Sequence, residues 1–178
     1  SRYLDVDGDG IPYRTIPGNR HPRSAYFTRG SGHDEYAQYS ERPEVLERLL
    51  KRLKKKYETA RGIIPKPIIE TMEGAEIGII AFGSTDPAVQ EARHHLEQRG
   101  IKSDYLRLRG IPFSPEVTDF VRNHDRIFVV ELNRDGQLHQ LLKIEYAKKA
   151  TSFLSVARVD GLPATAKWIE EAIVNEEK

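Results

Sequence analysis

The sequence predicts an α/β fold: an open, mainly parallel sheet of four to five strands with helices on both faces, preceded by an irregular arm and one helix. Three observations carry this. From Ala75 onward, apolar runs of strand length alternate with segments of helical spacing, and four such pairs follow one another. The first strand is apolar at consecutive positions, as in a strand buried on both faces of a parallel sheet, and the third has a four-residue apolar core. Short connections rich in Gly, Pro, Asp and Ser separate the pairs, which implies right-handed crossovers between neighbouring parallel strands.

Ala75–Arg99 is the most legible unit. Ile77, Ile79, Ile80, Ala81 and Phe82 form the first strand, and Gly83-Ser84-Thr85 the turn after it. Asp86 is placed to accept a hydrogen bond from a free helix N–H, and Pro87 suits the first helical turn because it has no N–H to leave unsatisfied. Val89, Ala92, Arg93 and Leu96 then follow helical spacing up to a C-capping Gly100. Ile101–Arg109 is the second strand, ended by Pro112. Ser114-Pro115-Glu116 starts a helix with a cap, a proline and an acidic first turn, turning Val117, Phe120 and Val121 inward. Arg126–Leu132 is the third strand, and Asn133-Arg134-Asp135-Gly136 leads into a helix bearing Leu138, Leu141, Leu142 and Tyr146. Phe153–Val159 is a shorter fourth strand. Asp160-Gly161-Leu162-Pro163 precedes a last helix with Trp168, Ile169, Ala172 and Ile173 on one side, and Glu176-Glu177-Lys178 reads as a fraying tail.

Residues 1–40 have little periodicity and many turn-formers: Gly8, Gly10, Pro12, Pro17, Gly18, Pro22, Gly30 and Gly32. The alternate carboxylates Asp5, Asp7 and Asp9 look like the start of a calcium loop. The closing bidentate Glu would fall at residue 16, which is Ile, so a polar turn is the better reading. Gly32-His33-Asp34-Glu35 sets two carboxylates beside an imidazole, but adjacent side chains rarely converge, and a solvated loop is preferred to an acid–base site. Glu41–Arg61 reads as a helix with one apolar stripe, Leu46, Leu49, Leu50, Leu53 and Tyr57, supported by Glu44–Arg48 and Glu47–Lys51 pairs. Its basic face (Arg48, Lys51, Arg52, Lys54, Lys55, Lys56) lacks the interleaved aromatics that stack on bases, so a solvated face is preferred and no nucleic acid is expected as a partner. Pro65-Lys66-Pro67 breaks helical structure, and the segment to Gly74 reads as an extended linker. The expected divisions are therefore residues 1–40, 41–74 and 75–178.

Composition narrows the function classes. Charged residues are 31% of the 178, and the net charge of +1 gives no global pull toward polyanions or membranes. No apolar run approaches the ~20 residues of a transmembrane helix. The absence of cysteine excludes disulfides, thiolate metal sites, an iron–sulfur cluster and a cysteine nucleophile in this chain, and is compatible with a cytoplasmic location.

Ligands of open α/β sheets gather outside the carboxyl ends of the strands, where three turns are candidates. Ser84 and Thr85, between Gly83 and Asp86, offer backbone N–H groups at a helix N-terminus. They stand in neither phosphate-binding glycine pattern, and Asp86 repels an anion, so a capped structural turn is preferred. Arg107 and Arg109 near a strand end could clamp a carboxylate or pair with acids on a partner chain; a surface ion pair is the plainer reading. The third turn, Glu131-Leu132-Asn133-Arg134-Asp135-Gly136-Gln137, is polar enough for a site, an interface or helix capping, and Asn133 is its candidate residue. No nucleophile elbow or zinc-binding helix motif is present.

Several stretches then stand together in a recognisable order: Gly10–Gly18 (GIPYRTIPG), Gly32–Tyr36 (GHDEY), Gly74–Ala92 (GAEIGIIAFGSTDPAVQEA), Asp104–Leu108 (DYLRL), Glu131–Gln137 (ELNRDGQ) and Asp160–Pro163 (DGLP). In this order and spacing the chain resembles, over essentially its whole length, the C-terminal part of the α subunit of 2-oxoacid:ferredoxin oxidoreductases of the 2-oxoglutarate and pyruvate type. That resemblance implies a Rossmann-like, transketolase C-terminal-like domain over residues 75–178. It also implies that residues 1–40 are the tail of a preceding thiamine pyrimidine-binding domain, joined through residues 41–74. By the same resemblance, the complete complex decarboxylates a 2-oxoacid on thiamine diphosphate with Mg. It passes electrons through an iron–sulfur cluster to ferredoxin and forms an acyl-CoA. The family's activating glutamate belongs to the domain expected upstream of Ser1, and the pyrophosphate, metal and cluster sites to the β subunit. The chain is accordingly expected to be a piece of a longer protein, to carry no catalytic or metal-binding residue, and to be inactive alone. Its expected role is to contact the β subunit and a second α subunit and to shape the cofactor cleft. The rival expectation is a free-standing nucleotide- or anion-binding module using Gly83–Asp86, with Ser84 and Thr85 as its candidates, together with Arg107 and Arg109.

Overall fold

A computed structural model describes residues 2–22, 24–25 and 32–177, and the chain divides into two compact units, Ser1–Ile63 and Ile64–Lys178. The turn expected at Gly30 and the terminal Lys178 lie outside the described residues.

In the first unit, proline and glycine leave the chain before residue 43 irregular, and polar side chains satisfy its backbone instead of a ladder. Asp5 accepts from the N–H of Gly10 (3.0 Å), Asp9 from that of Ile11 (2.7 Å) and Asp7 from the Tyr13 hydroxyl (2.7 Å). The three alternate carboxylates are thus spent on separate turn contacts, as the polar-turn reading requires, and no metal-binding group of three occurs among the described residues. Asp34 likewise accepts from Tyr36 and Gln38 N–H (both 2.9 Å), closing the loop joined by the His33–Tyr39 bridge. Helix α1, Pro43–Ala60, follows, with Pro43 in its first turn. The Glu47–Lys51 pair forms at 2.5 Å, whereas Glu44 turns back to Arg42 rather than forward to Arg48. Of the expected apolar stripe only Leu49 is half-buried; Leu46, Leu50, Leu53 and Tyr57 remain 42–55% exposed, and the helix buries Val45 outside the stripe instead.

The second unit is a five-stranded sheet. Its strands are β1 (Ile68–Glu70), β2 (Ile77–Phe82), β3 (Ser103–Leu108), β4 (Ile127–Glu131) and β5 (Phe153–Ala157), in the order β1-β3-β2-β4-β5. The last four run parallel, and β1 lies antiparallel on the edge with Ile68 opposite Arg107 and Glu70 opposite Tyr105. The segment expected as linker therefore contributes a strand. Its length of three residues and its flanking Pro65 and Pro67 hide it in the sequence, and an edge is where proline is tolerated.

Helices α2 (Asp86–Gln98), α3 (Pro115–Asn123), α4 (Gln137–Glu145) and α5 (Ala166–Glu176) cover the two faces. Alternate strand residues sort the layers, as the two-residue period demands. Ile77, Ile79, Ala81, Tyr105, Phe128, Val130 and Val156 pack with α2 and α5. Ile80, Leu106, Leu108, Ile127, Val129 and Phe153 pack with α3 and α4. Helix α2 stops as expected: Gly100 N–H bonds to Glu97 O and Ile101 N–H to Leu96 O, both at 2.9 Å. Glu177 does not fray; its carboxylate is held by Arg126.

Buried polar groups pin the edge strand. Arg93 of α2 is 7% exposed and donates to Glu70 of β1 (2.7 Å) and to Ser103 O (3.1 Å). Asp104 of β3 accepts from Met72 N–H (2.8 Å) and lies 3.1 Å from His124 Nε2. Lys66 reaches Glu116 of α3 at 2.7 Å, and this ion pair, first among several hydrogen bonds, pulls the Glu116 carboxyl down to about 2. A carboxyl depressed in the folded state stabilises above its unfolded pKa and loses that contribution as pH falls through the folded value. We therefore expect the parent chain to melt above Glu116→Gln at pH 7, and the two curves to converge as pH falls from about 4.5 to about 2. A difference in Tm that persists below that window would show that the ion pair is not its cause.

Candidate functional site

The parallel strands run β3-β2-β4-β5, so the chain leaves β2 in one direction and returns to β4 on its other side. The crevice beyond the carboxyl ends of β2 and β4 is the topological switch point, where such sheets bind ligands. A cavity of about 490 Å³ opens there. Phe82 and Gly83 from the end of β2, Leu108–Ile111 from the end of β3, Glu131 and Asn133 from β4 and its turn, and Gln137, Leu138 and Leu141 from α4 line it.

A carboxylate stands at the start of each of the two helices beside this crevice, Asp86 at α2 and Glu131 at α4. At α2, Gly83–Thr85 form a short 3-10 turn, and the buried Thr85 hydroxyl donates to Phe82 O at 2.6 Å. Asp86 enters the helix itself instead of capping it, and its carboxylate turns to β3. There it accepts from the Tyr105 hydroxyl at 2.9 Å and pairs with Arg107 at 3.3 Å. Burial first, and then this bond to Asp86, push the Tyr105 phenol well above its usual range.

At α4 the arrangement is tighter. Glu131, the last residue of β4, is fully buried. Its Oε2 accepts from Leu138 N–H at 2.8 Å and from the Asn133 side-chain amide, and its Oε1 accepts from His139 N–H at 3.0 Å. The carboxylate thus sits on the positive end of α4, where charge-assisted bonds and the helix dipole offset its desolvation. Asn133 Oδ1 accepts from Asp135 and Gln137 N–H (3.2 and 3.1 Å), and Gly136 closes the turn at φ +62°, which favours glycine.

The predicted residues are therefore dispersed in role. Asn133 and Arg109 line the crevice; Asn133 is consumed by the turn, while Arg109 is exposed with only a long 3.5 Å contact to Lys66 O. Arg107 is neutralised by Asp86, Thr85 is buried within its turn, and Ser84 is exposed outside the cavity lining. Glu131 was legible only as part of a polar turn; its signal was a carboxylate closing an apolar strand six residues before a helix. The apolar walls, Leu108, Ile111, Leu138 and Leu141, carried no signal, because helical or strand spacing alone explains each of them. Chemically, the arrangement disfavours phosphates, since Glu131 already takes the N–H groups a polyanion would need at α4 and Asp86 adds a like charge at the start of α2.

No family model matches the chain. It is 27% identical over 167 residues to the α subunit of 2-oxoacid:ferredoxin oxidoreductase 2 of Aeropyrum pernix, covering 91% of this chain and 25% of that protein. It is 29% identical over 178 residues to the 2-oxoacid:ferredoxin oxidoreductase α subunit of Saccharolobus solfataricus, covering 96% of this chain and 27% of that protein. The chain thus spans about a quarter of the length of the curated relatives it matches. Among solved structures, the 2-oxoglutarate:ferredoxin oxidoreductase of Magnetococcus marinus, with 2-oxoglutarate, coenzyme A and succinyl-CoA bound, superposes with a TM-score of 0.76. That match is 24% identical, covers 99% of this chain and 30% of the other, and bears out the α/β fold. The resemblance read from the sequence motifs is borne out by these relatives.

Proposed function

We propose that this chain is the C-terminal, non-catalytic part of the α subunit of a thiamine diphosphate-dependent 2-oxoacid:ferredoxin oxidoreductase. It would serve subunit assembly and hold the cofactor cleft in shape. The observation that carries the proposal is similarity to two such α subunits over nine-tenths or more of this chain, with a matching fold. In this reading residues 1–40 complete a preceding pyrimidine-binding domain, residues 41–74 connect, and residues 75–178 form the transketolase C-terminal-like domain. The whole enzyme would oxidise a 2-oxoacid to an acyl-CoA and reduce ferredoxin. The β subunit, and a second α subunit, would be the partners in the cytoplasm. Among the described residues no helix is long and apolar enough to cross a membrane.

Thiamine diphosphate, Mg and the iron–sulfur cluster are left to other parts of the complex. The residues present do not fit a magnesium-bound pyrophosphate: Glu131 already takes the first N–H groups of α4, Asp86 sets a like charge at the start of α2, and the chain has no thiol for a cluster. The exposed leucines of α1 suit an assembly role, since an apolar stripe of this kind marks a surface that a neighbour covers.

The test is co-expression with a 2-oxoacid:ferredoxin oxidoreductase β subunit and the remaining α-subunit sequence, supplied as a separate chain. The three are expected to co-purify and to reduce ferredoxin with a 2-oxoacid, while this chain alone binds no thiamine diphosphate. Micromolar binding of thiamine diphosphate and magnesium by the isolated chain would defeat the proposal, as would full activity of an assembly lacking it.

A further inference from the structure

We propose that the switch-point crevice is a binding site for a small amphipathic carboxylate. The apolar body would lie between Leu108 and Leu138 on the floor and Phe82, Ile111 and Leu141 at the rim, with the carboxylate turned out toward Arg109.

Three observations lead there. The cavity of about 490 Å³ is of ligand size and sits where doubly wound sheets bind ligands. Its rim leaves three large apolar side chains uncovered: Phe82 is 42%, Ile111 49% and Leu141 45% exposed, while Leu108 and Leu138 beneath them are buried. That gradient from buried to open apolar surface suits a hydrocarbon body entering from solvent.

Charge then sets the polar end. Arg107 is spent on Asp86 and Glu131 takes the first N–H groups of α4, so a phosphate chain would meet a carboxylate at the start of α2 and no free donors at α4. Arg109 is the one cation in the lining, and among the described residues it has no carboxylate within ion-pair reach. A ligand with one negative charge at one end meets Arg109 and keeps that charge away from Glu131; one with several charges cannot.

The experiment uses the full 178-residue chain and three probes: 3-phenylpropionate, its neutral amide, and inorganic pyrophosphate. Binding is followed by amide chemical shifts and calorimetry. The carboxylate is expected to move the resonances of Phe82–Gly83, Leu108–Ile111 and Gln137–Leu141, and to bind about tenfold more tightly than the amide. Arg109→Met, and Arg109→Gln as a second variant, should erase that preference while leaving the amide's affinity unchanged. Leu141→Trp, which fills the cavity, should abolish both. The proposal is overturned if no probe shifts these resonances at millimolar concentration, if pyrophosphate shifts them as strongly as the carboxylate, or if the Arg109 variants keep the preference. None of these outcomes touches the family assignment, which the subunit reconstitution tests independently.

Discussion

Glu131→Ala is expected to destabilise the Ile64–Lys178 unit by about 3–5 kcal/mol, more than any surface substitution in that unit. The carboxylate is fully buried and accepts from the Leu138 and His139 N–H groups and from Asn133, so its removal orphans three donors at once. Leaving each buried donor unpaired costs about 1–3 kcal/mol, and the stabilising match between a negative charge and the start of α4 goes with them. Glu131→Gln keeps one acceptor oxygen of similar shape and should lose roughly half as much. Trp168, the single tryptophan of the chain, lies in α5 against the core of the same unit, so its fluorescence in urea follows this unit alone. An unfolding free energy for Glu131→Ala within about 1 kcal/mol of the parent would mean that water replaces the lost cap, and that α4 does not depend on it.

The same residue shows where reading a sequence succeeds and where it stops. The strands β2 and β4 were legible because burial on both faces writes continuous apolar runs, and the helices because Pro87, Gly100 and Pro115 punctuate them at positions chain geometry rewards. Strand β1 was not legible. Three residues just after two prolines carry no period, and what holds them is remote: Arg93 on α2 reaching Glu70, and the pairing of Ile68–Glu70 with Tyr105–Arg107. The site was harder still. A polar turn after a strand has the same composition whether its side chains face a ligand or cap a helix, and only the distances from Glu131 and Asp86 decide between the two. The assignment of Asp86 as a cap failed for that reason. Residues on the neighbouring strand, Tyr105 and Arg107, compete for its carboxylate, and local spacing does not reveal neighbours across a sheet.

Gly10→Ala is expected to release the polar turn from α1 in the first unit, and Gly8→Ala is the control that separates two causes. Both glycines have positive φ, +71° at Gly8 and +85° at Gly10, so alanine at either meets the backbone penalty of roughly 1–2 kcal/mol. Only at Gly10 would the new methyl also meet backbone, 2.3 Å from Lys56 N and 2.9 Å from Arg52 O, whereas at Gly8 its nearest neighbour is the mobile Lys55 Nζ at 4.0 Å. A helix backbone cannot swing aside as a lysine tip can. The turn must therefore lift, which breaks the bonds from Arg52 to Gly10 O (3.0 Å) and from the Thr59 hydroxyl to Asp9 O (2.6 Å). Hydrogen exchange of the Ile11 amide, held by Asp9, should accelerate about 100-fold in Gly10→Ala, equivalent to about 2.7 kcal/mol, and no more than about tenfold in Gly8→Ala. The Trp168 transition should not move in either variant, because it reports the other unit. Equal acceleration in the two variants would leave backbone conformation as the whole effect and remove the close approach to α1 as the reason this position carries glycine.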